Sequence, residues 1–358
     1  MLIIFANLLY IIFQMMIYIN FFYFLNLLYS LYFVMYYYYI NLMENNNNSF
    51  SYNGDFNIYT KTWMNNICKY IYNKKITDIS IPGSHNSCSY SCNYKYGICK
   101  FAPKYTSFCR CISIKWIKNQ NTDIISQLNQ GIRYFDLRVG INTKNEIRIH
   151  HSIFGELLYN ILISINTFLE YNNNEIIVLN FKHLSNNTLH DMLTEHHNTI
   201  IKYIKYIFGN KIIEKNMFYN NIGNLLKKGK QIFIFYNNEL YTNKYDILLN
   251  YSNLENEWLN INYNENFINK IEHHVIKYNK IINNNNKLFV LQSIVTPDSK
   301  TIAKGLLCYP HNLNDISTNI YNNEFDDMIN KNKLNVILLD NVELLNKIIF
   351  KIILKNIN

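Results

Sequence analysis

Residues Ile76-Thr-Asp-Ile-Ser-Ile-Pro-Gly-Ser-His85-Asn86-Ser87 decide the reading of this chain. The alternating pattern predicts a strand over 77–81, and Pro82-Gly83 predicts a turn that presents His85 on the loop beyond it. Loops at strand ends, held by a rigid scaffold, are where reactive side chains are placed. Downstream lies Gly131-Ile-Arg-Tyr-Phe-Asp136-Leu-Arg138-Val-Gly140. Strand side chains alternate faces, so Asp136 and Arg138 point the same way. A third strand, 146–150, runs into His150-His151. Two histidines, a carboxylate and an arginine thus stand at successive strand ends. Imidazoles carry protons near neutrality and guanidinium matches phosphate oxygens, so the set suits cleavage of a phosphodiester.

Working outward, further strands are expected at 176–181, 231–236, 288–294 and 335–339, with another at 258–263. Helical spacing separates them, for example Leu157, Leu158, Ile161, Leu162, Ile165, Phe168 and Leu169. Asn121-Thr-Asp opens another helix that Gly131 ends, and Val342–Lys355 sets Glu343, Lys347, Lys351 and Lys355 along one face. Alternating strands and helices predict an α/β fold with a parallel sheet. A length of 358 residues accommodates one (β/α)8 barrel of about 250 residues with additions. The net charge of +9 is scattered, with no dense basic run. Nucleic acid is therefore not an expected partner; an anionic membrane surface suits the charge, and so does a bland excess of surface lysine.

The first 43 residues contain no charged side chain, more than the roughly 20 apolar residues needed to span a bilayer. Two readings stay open, a membrane anchor or uncleaved signal and a misplaced gene start. The expected division is an apolar segment 1–43, an Asn-rich linker 44–61 and a catalytic barrel 62–358. Lys61, Lys69, Lys74 and Lys75 favour a cytosolic barrel. Cys68, Cys88, Cys92, Cys99, Cys109 and Cys111 crowd one region, which suits disulfides in an oxidising compartment. Free thiols are the alternative, and the spacing lacks the Cys-x2-Cys pairs of a zinc site. The protein is expected at a membrane, on a side these signals leave open.

These blocks resemble the phosphatidylinositol-specific phospholipase C X-domain family, with its Pro-Gly-Ser/Thr-His-Asp-Ser turn, Gly-Ile-Arg-Tyr-Phe-Asp-Leu-Arg strand and His-Gly pair. The similarity continues through Trp116 to Gln120, Gln127-Leu128, Glu175–His183, Leu291–Pro297 and Asn335–Asp340. It looks closest to the small single-domain eukaryotic members, which are similar to the bacterial enzymes. The resemblance implies a distorted (β/α)8 barrel of TIM type. It also implies a monomer that cleaves phosphatidylinositol or a glycosylphosphatidylinositol to diacylglycerol and a cyclic inositol phosphate. By the same resemblance His85 is the general base, Asp340 holds it, and Lys182 contacts the inositol. His151 is the general acid, because neighbours on a strand face opposite ways and the family's histidine precedes a glycine, here Ser152. Arg138 clamps the phosphate, and Asp136 orients Arg138 or cooperates with His151. Asn86, expected with Lys182 to contact the substrate, stands where aspartate is commoner, and calcium-dependent animal members also carry asparagine there. Arg138 and Phe181 replace carboxylates of those members, so no cofactor is expected. The alternative is a catalytically silent fold that binds inositol lipid. The pairs His196-His197 and His273-His274 are expected at the surface.

Overall fold

The computed structural model describes residues 49–52, 56–185, 192–263, 265–282 and 287–357. The apolar run 1–43, with its anchor and gene-start readings, lies outside them. Among the described residues no helix is long and apolar enough to cross a membrane. Residues Asn48–Asn358 form one compact unit.

That unit begins with a hairpin of β1 (Ser49–Tyr52) and β2 (Phe56–Tyr59) within the stretch read as a linker. The later strands are β3 (Ile81–Ser84), β4 (Tyr134–Ile141), β5 (Ile147–His151), β6 (Ile153–Leu157), β7 (Ile177–Ser185), β8 (Ile232–Tyr236), β9 (Leu254–Glu255), β10 (Leu288–Gln292) and β11 (Val336–Leu339). Seven run parallel in the order β9-β10-β11-β3-β4-β7-β8. The runs Ile232-Phe-Ile-Phe-Tyr and Val336-Ile-Leu-Leu are wholly buried, as strands covered on both faces must be. The helix Leu158–Tyr171 buries Leu158, Ile161, Leu162, Ile165, Phe168 and Leu169, the expected helical stripe.

A short irregular segment closes the ring. Leu249 pairs with β8 through Tyr236 N–H to Leu249 O (3.1 Å) and Leu249 N–H to Ile234 O (2.7 Å). After a 3-10 turn at Tyr251–Asn253, β9 pairs with β10. The result is a distorted (β/α)8 barrel of TIM type, as expected.

Several expectations are corrected. The segment Ile76–Asp78 is a 3-10 turn, because the Asp78 carboxylate accepts the Lys75 N–H (3.1 Å), and the strand begins only at Ile81. Pro82-Gly83 is therefore inside β3 rather than a turn. A Cβ on Gly83 would lie 3.2 Å from Tyr134 Cβ, so its bareness lets β3 and β4 approach. Residues 258–263 form no strand; the pairing falls at β9 instead. Strand β6 was not foreseen: Ser152, at φ +61°, reverses the chain directly from β5. His196, His197 and His274 are buried, and only His273 is exposed. The first two face inward from helix Thr194–Phe208, where His196 Nε2 meets Asn145 Oδ1 (2.9 Å) and His197 Nδ1 meets the Tyr236 hydroxyl (2.7 Å). All seven cysteines are free; Cys88, Cys92 and Cys99 are packed in the interior, so the disulfide reading gains no support.

One buried ion pair ties the N-terminal side of the barrel. Arg133, fully buried before β4, binds Glu175 at 2.8 Å and also donates to the carbonyls of Leu128, Ile132 and Lys61. Removing one partner strands the other charge in the interior. Glu175→Ala should therefore cost about 3–5 kcal/mol in chemical denaturation. Lys277→Ala, which breaks a solvent-exposed pair with Glu257, should cost at most about 1 kcal/mol. Equal losses in the two variants would contradict this account of the core.

Candidate active site

Backbone register assembles the site. Leu339 of β11 pairs with Ser84 of β3, Ser84 with Phe135 of β4, and Phe135 with Leu179 of β7. The next residue along each strand line is then Asp340, His85, Asp136 and Asn180. All four sit at one height, at the C-terminal end of the parallel strands, the end where barrels of this kind keep their sites. Two residues further on, Arg138 pairs with Lys182.

The side chains meet accordingly. His85 Nδ1 lies 2.8 Å from Asp340 Oδ1, with both groups buried. Arg138 Nη2 approaches His85 Nε2 at 3.4 Å. A carboxylate on one nitrogen and a guanidinium on the other assign the Nδ1–H tautomer, with the Nε2 lone pair turned to the Arg138 N–H at the long distance of 3.4 Å. Lys182 Nζ binds Asp136 Oδ2 at 3.0 Å, and the Asn86 N–H donates to the same oxygen at 3.1 Å. Burial alone would raise the Asp136 carboxyl, but Lys182, His85 and Arg138 outweigh it and hold its pKa at about 2. Asp136 thus stays ionised, with Oδ1 buried and unpartnered among the described residues.

These groups open into a cavity of about 470 Å³. His85, Arg138, His151, Lys182 and His183 supply the cationic and imidazole groups of its lining, and Trp116, Ile294, Val295 and Ile302 much of its apolar part. His151 enters it while His150 turns away, buried against Phe101 and Phe154. His151 Nδ1 meets the Ile117 carbonyl at 2.6 Å. Burial, reinforced by the Arg138 charge, pushes the His151 imidazole well below its ordinary range. Asn86 does not line the cavity itself; it donates its Nδ2 to Oδ1 of the lining residue Asn119 (2.8 Å).

The comparisons with known proteins agree with this fold. The model of the phosphatidylinositol-specific phospholipase C X domain matches residues 109–234. PI-PLC X domain-containing protein 2 of Mus musculus is 30% identical over 258 residues, covering 68% of this chain and 72% of the relative. PI-PLC X domain-containing protein 3 of Mus musculus is 25% identical over 257 residues, covering 68% and 77%. The chain belongs to the PI-PLC X-domain family. Among solved structures, phosphatidylinositol-specific phospholipase C from Listeria monocytogenes superposes with a TM-score of 0.55 at 17% identity, covering 83% of this chain and 98% of its own. A point mutant of the phosphatidylinositol-specific phospholipase C from Staphylococcus aureus gives 0.57 at 17% identity, covering 82% and 96%. These two show the shared fold.

Within this X domain the residues do not suit a calcium ion. Asn86 Oδ1 and Asp136 Oδ1 are free acceptors, but calcium takes six to eight oxygens. Lys182 already holds Asp136, and Arg138 stands beside it. Among the described residues no three His, Cys, Asp or Glu side chains cluster to hold a metal.

Two residues of the site escaped the sequence reading. Buried Gln120 donates Nε2 to the carbonyls of His85 (3.0 Å) and Leu339 (2.9 Å), and its Oε1 accepts the Val342 N–H (3.1 Å). It thereby clamps the backbone of His85 to the strand end that carries Asp340. His183 is the second. The Trp116–Gln120 and Glu175–His183 blocks contained both residues, but nothing in their order reveals these contacts. Ser152 makes the reversal between β5 and β6 by taking a left-handed φ of +61°, for which glycine is the easier residue.

The His85 pairing has a direct spectroscopic signature. At alkaline pH, where imidazoles are neutral, long-range ¹H–¹⁵N spectra should find His85 mainly in the Nδ1–H form. Asp340→Ala should move it toward Nε2–H. A wild-type His85 already dominated by Nε2–H would contradict the assigned pairing.

Proposed function

We propose that this protein cleaves phosphatidylinositol, or a glycosylphosphatidylinositol, to diacylglycerol and a cyclic inositol phosphate without a metal. One observation carries the reading: two imidazoles, His85 and His151, face one cavity, and Arg138 lies beside the first and within electrostatic reach of the second. His85 Nε2 takes the proton of the inositol 2-hydroxyl while Asp340 stabilises the imidazolium that forms. The freed oxygen attacks its own phosphorus, closing the cyclic diester. Arg138 gathers the charge on the phosphate oxygens. His151 delivers a proton to the departing diacylglycerol oxygen. Before substrate arrives, burial and the Arg138 charge keep His151 short of that proton. An arriving phosphodiester anion offsets this charge and raises the proton affinity of His151. Asp136 and Lys182 hold the walls of the site and meet headgroup hydroxyls.

The cavity mouth supports a membrane as the source of substrate. Residues 98–119 and 299–312 each contribute to the lining and together carry Lys100, Lys104, Arg110, Lys115, Lys118, Lys300 and Lys304, with no acidic residue. The same segments expose Phe108 (86%), Leu307 (89%), Leu306 and Tyr309. The two segments are neighbours, since a Cβ on Gly305 would come within 2.7 Å of Trp116. Exposed apolar groups rimmed by one sign of charge suit an anionic lipid surface.

Two measurements test the reading. His85→Ala and His151→Ala should each lower turnover of phosphatidylinositol by about 10²- to 10⁴-fold, and Arg138→Lys should fail as well because a point charge cannot replace the bidentate fork. The protonated fraction of His151 falls about tenfold per pH unit above its pKa, so kcat/KM should decline toward alkaline pH and His151→Ala should flatten that limb. Wild-type protein that binds inositol lipid yet releases no product would instead make the domain a silent lipid-binding module. The Phe108→Asp/Leu307→Asp variant should lose sedimentation with phosphatidylserine vesicles while still cleaving dispersed short-chain substrate; unchanged sedimentation would overturn the docking face.

A further inference from the structure

Lys182 and His183 are consecutive on β7, yet both line the cavity. Regular alternation forbids that, since neighbours on a strand face opposite ways. A β-bulge resolves it. The register runs Arg138↔Lys182 and then Gly140↔Ser185, so His183 and Leu184 together oppose Val139. His183 takes a left-handed φ of +51°, and Leu184 turns into the buried position that His183 would otherwise fill. Bulges beside active sites re-aim side chains in this way.

The bulge is supported from behind. His150 Nε2 lies 3.3 Å from the His183 carbonyl and reaches it across the space over Gly140. A Cβ on Gly140 would come within 2.7 Å of the His150 ring. Bare Gly140, buried His150 and left-handed His183 are thus one arrangement, and its product is an imidazole turned toward the cavity next to Lys182. The reaction proposed above gives this imidazole no task.

We propose that His183 is a specificity-determining residue that hydrogen-bonds a ring hydroxyl of the polyol headgroup. The inference rests on the reading of the cavity as an inositol-lipid site. Desolvation by the surrounding protein, with the charges of Arg138 and Lys182, lowers the His183 pKa to about 4. The ring is therefore neutral from pH 6 to 8 and offers one donor and one acceptor, as a hydroxyl requires. Lys182 beside it is already paired with Asp136. This wall thus favours an unmodified hydroxyl over a phosphate at the same ring position.

The test uses the full chain with phosphatidylinositol and phosphatidylinositol 4-phosphate in matched vesicles. His183→Ala should lower kcat/KM on phosphatidylinositol about tenfold, mainly through KM, the scale of one lost hydrogen bond. The loss should be the same from pH 6 to 8, and His183→Asn should restore part of it. His183→Arg should shift the preference toward the phosphorylated lipid. A loss carried by kcat and varying with pH, or an unchanged substrate ratio in all three variants, would overturn the assignment. Titration with myo-inositol 1-phosphate separates the two readings. If the wild type binds it but turns over no lipid, the catalytic reading fails while His183→Ala still has to weaken binding. Equal binding by wild type and His183→Ala rejects the role of His183 by itself.

Discussion

Everything at the cavity depends on the hydrogen-bond register of four adjoining parallel strands. Because Leu339, Ser84, Phe135 and Leu179 pair in a row, the residues that follow them arrive together at the same end of the barrel. A slip of one residue in any of these pairings would send its polar group to the opposite face. The Asp340–His85 bond, the Lys182–Asp136 pair and the Arg138–His85 approach are all consequences of that register. Gln120 reinforces it where the strands end, by joining the His85 and Leu339 carbonyls through one buried amide.

The electrostatics follow from packing these groups close together out of water. Arg138 lies half-buried beside His85, and its charge adds to the burial that disfavours a proton on His151. Asp136 stays ionised because cations outweigh its burial, and Lys182 is held by that carboxylate. The arrangement sets a guanidinium beside the Nε2 of His85 and leaves Asn86 Oδ1 and Asp136 Oδ1 buried without a partner among the described residues. In the reading proposed above, a phosphodiester brings its oxygens to the guanidinium and a ring hydroxyl to the imidazole nitrogen. A divalent cation would meet two cationic side chains before it found enough oxygens.

Much of this was legible in the sequence where strand periodicity rules. Asp136 and Arg138 could be placed on one face from their spacing alone, while alternation admitted only one of His150 and His151 and the family's His-Gly pattern selected His151. Asp340 was reached through the family resemblance, since it lies 255 residues from its partner His85. Two features were missed where a non-glycine residue takes a left-handed backbone. Ser152 produced a strand without a turn signal, and His183 escaped because its bulge defeats alternation. Gln120 was invisible for another reason: its value lies in three backbone contacts, two of them more than 200 residues away. The buried histidines were misjudged because a His-His pair on a helix does not announce that its ring nitrogens find partners such as Asn145 and Tyr236.

The central claim is that these side chains alone carry out an intramolecular phosphoryl transfer on an inositol lipid. Phosphorus NMR of phosphatidylinositol vesicles incubated with the full chain in excess EDTA reads this directly. The account predicts loss of the diester signal and growth of a five-membered cyclic phosphate resonance, well separated from acyclic monoesters. A spectrum that stays unchanged until calcium replaces the chelator would contradict it.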